Sequence, residues 1–413
     1  MRISSSQIFD AGVAGMQRIQ SALYNTQNQL DANRRVLTPS DDPVASAQEL
    51  ITTQSQSVNQ QYLDNQGDAG NRLALEEDRL SSLVDLVQYI RERAVDAGNA
   101  SYSDKQRASI ATDLQQQLEQ LKGLANSADA QGLYLFSGYQ GSTQPFVTTA
   151  SGTVQYVGDD GQRQLQVGAS RDISISDSGL DVFARIRNGN GTFVTGGGAS
   201  NTGTGVIDAG SVLNPAAWTG HSYSLSVTSV NSAVSPPVST YSLTDTDPAT
   251  GASTVTAGLN FTAGAAITQI PGINFSIKGT PAVGDTFSVT PSTSQSLFAT
   301  VQSLINTVNT PIAGNTAAGA QLQIGLSGSL VNLDQALSNL GRVQATVGSR
   351  RSELQSLTDL GTDVNLNYTK RLNDLVGLDQ VSAISLFTQQ QIQLQAAQKS
   401  YVQISGLSLF NYL

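Results

Sequence analysis

"RRVLTPSDDPVASAQEL", Arg34 to Leu50, sets two adjacent aspartates between two prolines, and Pro39 and Pro43 are the only prolines in the first 137 residues. A carboxylate pair in a tight loop can serve acid–base chemistry or a metal. It can equally start a helix, because Asp is a favoured N-cap and Pro fits the first helical position, where its missing N–H costs nothing. Pro39 disfavours helix at Thr38, so the stretch is read as a helix joint made by Pro39, Asp41, Asp42 and Pro43. No histidine or other catalytic partner lies near it in sequence to make it a catalytic site.

On either side of the joint the apolar residues repeat with helical period. Met16, Ile19, Leu23, Leu30 and Leu37 form one stripe, with Thr26 and Asn33 as polar members. A second runs through Val58, Tyr62, Ala69, Leu73, Leu80, Leu83, Val87, Ile90 and Ala94, and a third through Ile110, Leu114, Leu118, Leu121 and Ala125. Toward the other end, Leu297, Val301, Leu304 and Val308 predict a short helix. Leu326, Leu330, Leu333, Leu337, Leu340, Val343 and Val347 predict a long one that continues through Leu354 and Leu357. The last stripe is Ile384, Phe387, Leu394, Ala397, Tyr401 and Ile404. Steps of three and four residues sustained this far indicate coiled-coil-like helices.

The middle obeys another rule. From Gly138 to Thr290 there is no Glu, and eight of the eleven prolines lie between Pro145 and Pro291. Period-two runs such as "TVQYVG", "DISIS", "SYSLSVTSV" and "NFSIKG" alternate with "SPP" and "TDTDPATG". That pattern predicts short antiparallel strands, with "GNGTFVTGGGASNTGTG" (Gly189–Gly205) loop-rich. The expected fold is α+β: a long coiled-coil-like helical body built from both termini, with an inserted antiparallel β domain. The expected divisions are residues 1–40 with 375–413, residues 41–137 with 292–374, and residues 138–291. Neither end can bury its stripe alone, so antiparallel pairing of the two is expected.

Composition narrows the function. A net charge of −10 and a pI near 4.5 leave no basic face for nucleic acid. There is no cysteine, hence no disulfide or thiolate site. No run approaches 18 apolar residues, so a membrane span and a cleaved leader are not expected. His221 is the only histidine and cannot build a His-based metal site. "VGDDGQ", with Asp159 and Asp160, is read as a hairpin turn. Asp245 and Asp247 have a D-x-D spacing but lack the closing ligands of a calcium loop. No catalytic, cofactor or metal residue is expected, and no enzyme.

The ends point elsewhere. From Gln380 onward the only charge is Lys399, and the first 30 residues carry only Arg2, Asp10 and Arg18. Such helices, apolar on several faces, call for burial all round. They are expected to assemble with copies of the chain or related chains through Ile8, Phe9, Val13, Met16, Ile19, Leu23, Phe387, Leu394, Tyr401, Ile404, Leu407 and Phe410. A buried hairpin within one chain is the plainer alternative.

Five segments in order, "MRISSSQIF", "VLTPSDDPVAS", "GLYLFSGYQ", "GTPAVGDTFSV" and "SLFATVQSLI", resemble the flagellar hook-associated protein 3 family of the flagellin superfamily. The flagellin signature "RLSSG…RIN" is replaced here by "VLTPSDDP". The resemblance implies a structural, extracellular flagellar protein exported unfolded by the flagellar type III apparatus on an uncleaved signal. It implies a ring at the hook–filament junction, with the terminal helices in the inner tube and the β domain outermost. The implied partners are copies of itself, the other hook-associated junction protein, flagellin, the export apparatus and an export chaperone, with no cofactor, nucleic acid or membrane. The alternatives are a flagellin-like filament subunit or a helical stalk presenting a glycan- or host-binding β domain.

Overall fold

The structure is a computed structural model that describes residues 5–406. Among them six α-helices carry much of the chain: α1 (Ser5–Ala32), α2 (Pro43–Ala97), α3 (Asp104–Ala125), α4 (Leu297–Val308), α5 (Thr316–Val376) and α6 (Gln380–Gly406). All the strands fall between α3 and α4. The expected α+β architecture, a helical body from both ends with an inserted antiparallel sheet region, is therefore what the chain adopts. No described helix is long and apolar enough to cross a membrane.

The chain forms two compact units. One comprises Met1–Gly67, Val167–Ala169 and Gln355–Leu413; the other comprises Asp68–Gln166 and Ser170–Leu354. The second holds nearly all the core. Its helices bury the predicted stripes, with Leu73, Leu80, Leu83, Val87, Ile90, Leu114, Leu121, Leu333 and Leu340 fully covered. Helix α3 starts with a capping box, Ser103 and Gln106 bonding each other's backbone N–H. Arg107, almost wholly buried, bonds the Tyr102 carbonyl at 2.6 Å and the Asp104 carboxylate. Asp104 accepts in turn from the Ile312 and Ala313 N–H groups, which ties the first turn of α3 to the loop before α5. Helices α4 and α5 approach so closely that a Cβ on Gly325 would lie 2.6 Å from a Thr307 methyl carbon. Only glycine fits there.

In the same unit Phe136, Phe146, Phe183 and Phe298 form an aromatic knot with ring centroids 4.9 to 5.7 Å apart. Beyond it stands a five-stranded antiparallel sheet in the spatial order Ser253–Thr262, Val238–Thr246, Ser222–Asn231, Thr286–Pro291 and Phe193–Gly197. The glycine-rich stretch expected to be loop thus contributes an edge strand, because Phe193 is fully buried and anchors it. The aspartates of "VGDDGQ" are not at a hairpin tip, since Val154–Tyr156 and Gln164–Gly168 pair with different partners. Asp159 instead accepts from the Tyr139 and Gly161 N–H groups, both at 2.8 Å, and Asp160 pairs with Arg185.

Tyr241, on the Val238–Thr246 strand next to the sheet edge, is fully buried, and its hydroxyl has no hydrogen-bond partner among the described residues. Burial pushes that hydroxyl up to about 12. An unpaired buried hydroxyl costs about 1–3 kcal/mol. Tyr241→Phe is therefore expected to stabilise the protein by about 1 kcal/mol, read as a higher urea midpoint with an unchanged slope. A lower midpoint would show that the hydroxyl has a partner.

The first unit is built differently. Among the described residues, the buried apolar side chains that belong to it are Val36, Ala45, Val167, Val376 and Ala383. Its α2 and α5 segments meet through amides: Gln56 donates to Asn365 and Thr369 at 3.0 and 3.1 Å, and Asn59 donates to the Gly361 carbonyl at 2.8 Å. Val58, in the predicted stripe, is exposed.

Candidate assembly interface

Two features of the first unit bear on function: the joint after α1, and the pairing of α1 with α6. Helix α1 stops at Ala32, seven residues before Pro39. Asn33 takes a left-handed conformation with φ 51°, which Asn tolerates better than most residues. Its N–H bonds the Leu30 carbonyl at 3.2 Å, and the Arg34 N–H reaches the Gln29 carbonyl at 3.0 Å. This is a Schellman closure with Asn in the usual glycine position. Pro39 therefore does not end the first helix. It lies farther along the connector, in a turn that the Asp41 N–H closes on the Thr38 carbonyl at 3.0 Å.

The connector is held against the end of α5 and the turn into α6. Arg34 bridges Gly377, and the Arg35 N–H donates to the Val376 carbonyl at 2.8 Å. The Arg35 guanidinium donates to the Leu375 carbonyl at 2.7 Å, and Gln380 donates to the Asn33 side chain at 2.9 Å. Beneath these bonds Val36, Ala45 and Val376 form a small apolar plug.

Both aspartates accept hydrogen bonds from the local backbone. Asp41 accepts from the Leu37 and Thr38 N–H groups at 3.0 and 2.8 Å. Asp42 accepts from the Ala45 N–H at 3.0 Å, caps α2, and receives Arg35 at 3.3 Å. Pro43 follows as the first residue of α2. Each carboxyl is held below its ordinary value, Asp41 chiefly by the Thr38 N–H and Asp42 chiefly by the Ala45 N–H. A depressed carboxyl stabilises the fold above its unfolded value and ceases to do so as pH falls through the folded one. The joint thus weakens only in acid. Among the described residues no group of three or more His, Asp and Glu is placed to hold a metal.

Helices α1 and α6 run antiparallel, with Asn33 beside Gln380 at one end and Phe9 beside Tyr401 at the other, ring centroids 6.0 Å apart. Phe9, Met16, Ile19, Leu23, Phe387, Leu394 and Tyr401 are half-buried along this seam. Val13 and Ile404 are exposed. Leu407 and Phe410 lie outside the described residues, as does the side chain of Ile8.

The pairing leaves other apolar residues bare. Val381 is 80% exposed, Val402 66%, Tyr24 65%, Ile392 61% and Ile384 55%. On α6, Val381, Ile384, Ile392 and Val402 lie on the flank of the helix, on average about 115° round from Phe387, Leu394 and Tyr401 at 100° per residue, with Ile384 at the edge nearest Phe387. The helical stripe of α6 marks the seam and, of these exposed residues, includes Ile384 alone. The signal for the exposed flank was the near-absence of charge from Gln380 onward.

Residues 3–141 match the bacterial flagellin N-terminal helical region. The chain is 28% identical over 410 residues to flagellar hook-associated protein 3 of Escherichia coli K12, covering 99% of each. It is 27% identical to flagellar hook-associated protein 3 of Salmonella typhimurium LT2, again over 99% of each. Among solved structures, flagellar hook-associated protein 3 of Legionella pneumophila is 32% identical with a TM-score of 0.71, covering 79% of this chain and 98% of that one. The FlgL protein of Xanthomonas campestris is 28% identical with a TM-score of 0.69, covering 78% and 99%. A shared fold, matching ends and identity spread over nearly the whole chain place this protein in one group: it belongs to the flagellar hook-associated protein 3 family.

Proposed function

We propose that the chain is a structural subunit of the bacterial flagellum at the junction of hook and filament. Copies of it close into a ring through α1 and α6, and the ring templates the first layer of flagellin. The observation that carries this reading is the first unit itself, whose paired terminal helices leave large apolar side chains in water while few are buried. A lone soluble subunit gains nothing from such a surface. A subunit surrounded by neighbours buries it, and low charge lowers the cost of doing so.

In this reading residues 1–40 and 375–413 form the inner tube, residues 41–137 and 292–374 the surrounding helical layer, and residues 138–291 the outer domain. Ile8, Phe9, Val13, Met16, Ile19, Leu23, Phe387, Leu394, Tyr401, Ile404, Leu407 and Phe410 belong to the assembling ends. The other junction protein lies on the hook side and flagellin on the far side. The chain leaves the cell by the flagellar type III route on an uncleaved signal, escorted to the apparatus by an export chaperone. Its role is mechanical, not catalytic.

Deleting the gene is expected to leave hooks without filaments and flagellin shed into the medium. Normal filaments in that strain would sink the proposal. If purified chain grew long filaments unaided, a filament-subunit role would replace the junction role.

A further inference from the structure

The second unit contains a buried charge arrangement that neither the seam nor the joint uses. Glu76, on α2, is 1% exposed. One of its carboxyl oxygens accepts from the Asp177 N–H at 3.0 Å. The other, Oε2, is buried with no hydrogen-bond partner among the described residues. The Asp177 carboxylate takes both terminal nitrogens of Arg350, from α5, at 2.9 and 3.0 Å, and the Gln162 amide at 2.8 Å. The charged groups facing Glu76 are thus Asp177 from the Ile175–Leu180 segment, Arg350 from α5 and Arg163 from the loop before the Gln164–Gly168 strand. Arg163 donates to the Tyr134 carbonyl, and its Nε is buried and unpartnered. On α2 itself Arg72 is committed to Asp129 at 2.9 Å, and the Glu77 carboxylate is paired with Arg351.

We propose that Glu76 sits in the folded protein as a neutral, protonated carboxyl and acts as a proton-linked latch, holding the Ile175–Leu180 segment against α2 and α5 when protonated and loosening it when ionised. The geometry decides between the two forms. A neutral carboxyl with one unpaired oxygen carries a modest penalty, whereas a buried carboxylate with an unpaired oxygen carries a large one. The two donors of Arg350 nearest the cluster are occupied by Asp177, so ionised Glu76 would add a second negative charge beside an ion pair already formed. Burial, then the charge of Asp177, pushes Glu76 up to about 8.

The sign of the pH dependence follows. The folded carboxyl holds its proton above the unfolded value, so the fold binds more protons than the unfolded chain between those two values. Stability of this segment is greatest in mild acid and falls as pH rises to about 8. The direction is opposite to that of Asp41 and Asp42.

The test is amide hydrogen exchange at Asp177 in the whole protein, corrected for intrinsic base catalysis, from about pH 5 to pH 9. The expected result is a protection factor that falls by up to about tenfold per pH unit across the window. In Glu76→Gln, which cannot ionise, protection is expected to be flat, with a urea midpoint that gains on the parent as pH rises. A wild-type protection factor independent of pH would overturn the latch. So would an equal pH slope in Glu76→Gln. Should that variant fail to fold, the wild-type titration decides alone.

Discussion

A chain carrying Ile384→Asp and Ile392→Asp together is expected to fold as the parent does and to support no filaments. Both side chains are exposed in the structure, so their loss removes little from the monomer. Surface changes of this kind usually stay within about 0.5 kcal/mol, and Asp inside a helix adds a propensity cost of about the same size per site. In an assembled ring the same positions would place two carboxylates between helices, and each desolvated, unpaired charge costs several kcal/mol. That is enough to reduce association by several orders of magnitude, since each 1.4 kcal/mol is about tenfold. The measurements are the thermal transition of purified protein and motility restored to a strain lacking the gene. Val283→Asp, an equally exposed apolar position in the second unit, is the control and is expected to restore motility fully. If the α6 variant restored it too, the exposed flank of α6 would not be an interface.

What the sequence made legible was set by the range of the forces involved. Period alone located the helices, because a stripe at three- and four-residue steps is a local signature of one-sided burial, and Leu73, Leu80, Leu83 and Ile90 are buried as their spacing implies. Alternation and proline marked the sheet region in the same way. The stop of α1 was legible in principle, since Asn33 followed by Arg34 and Arg35 is a helix-ending pattern. It was obscured because Leu37 continues the stripe in register past the true end.

Non-local features were out of reach. Glu76 sits in "LEEDRL", which reads as an ordinary charged helix face. Only the fold brings Asp177 and Arg350 to it, from 101 and 274 positions away. Likewise the weak charge of α6 was plain, but which of its faces meets α1 and which stays bare depends on the pairing partner. The proposed site is thus half legible: composition singles out the sparsely charged ends, and the surface they present does not follow from it.

The joint is the second place where a large effect is expected, and the structure shifts its weight from the prolines to the groups around them. Because Asn33 already closes α1 and Asp42 already caps α2, Pro39→Ala with Pro43→Ala removes mainly the restriction that proline places on the unfolded chain, about 0.4–1 kcal/mol per site. Val36→Ala acts on the folded side. It empties the plug between Ala45 and Val376 and removes two methyl groups' worth of burial, about 2 kcal/mol with its cavity. Asp41→Ala with Asp42→Ala leaves the Leu37, Thr38 and Ala45 N–H groups without their acceptors and frees Arg35 from Asp42. Combining Val36→Ala with the two aspartate changes is expected to release the connector from Val376 and Gly377, abolish assembly and leave the second unit's core intact. The observable is amide exchange at Arg35, whose N–H is bonded to Val376: protection should persist in the double proline variant and vanish in the combined one. If the proline variant instead lost that protection, rigidity imposed by Pro39 and Pro43 would be what sets the bend, and the closure at Asn33 would be secondary.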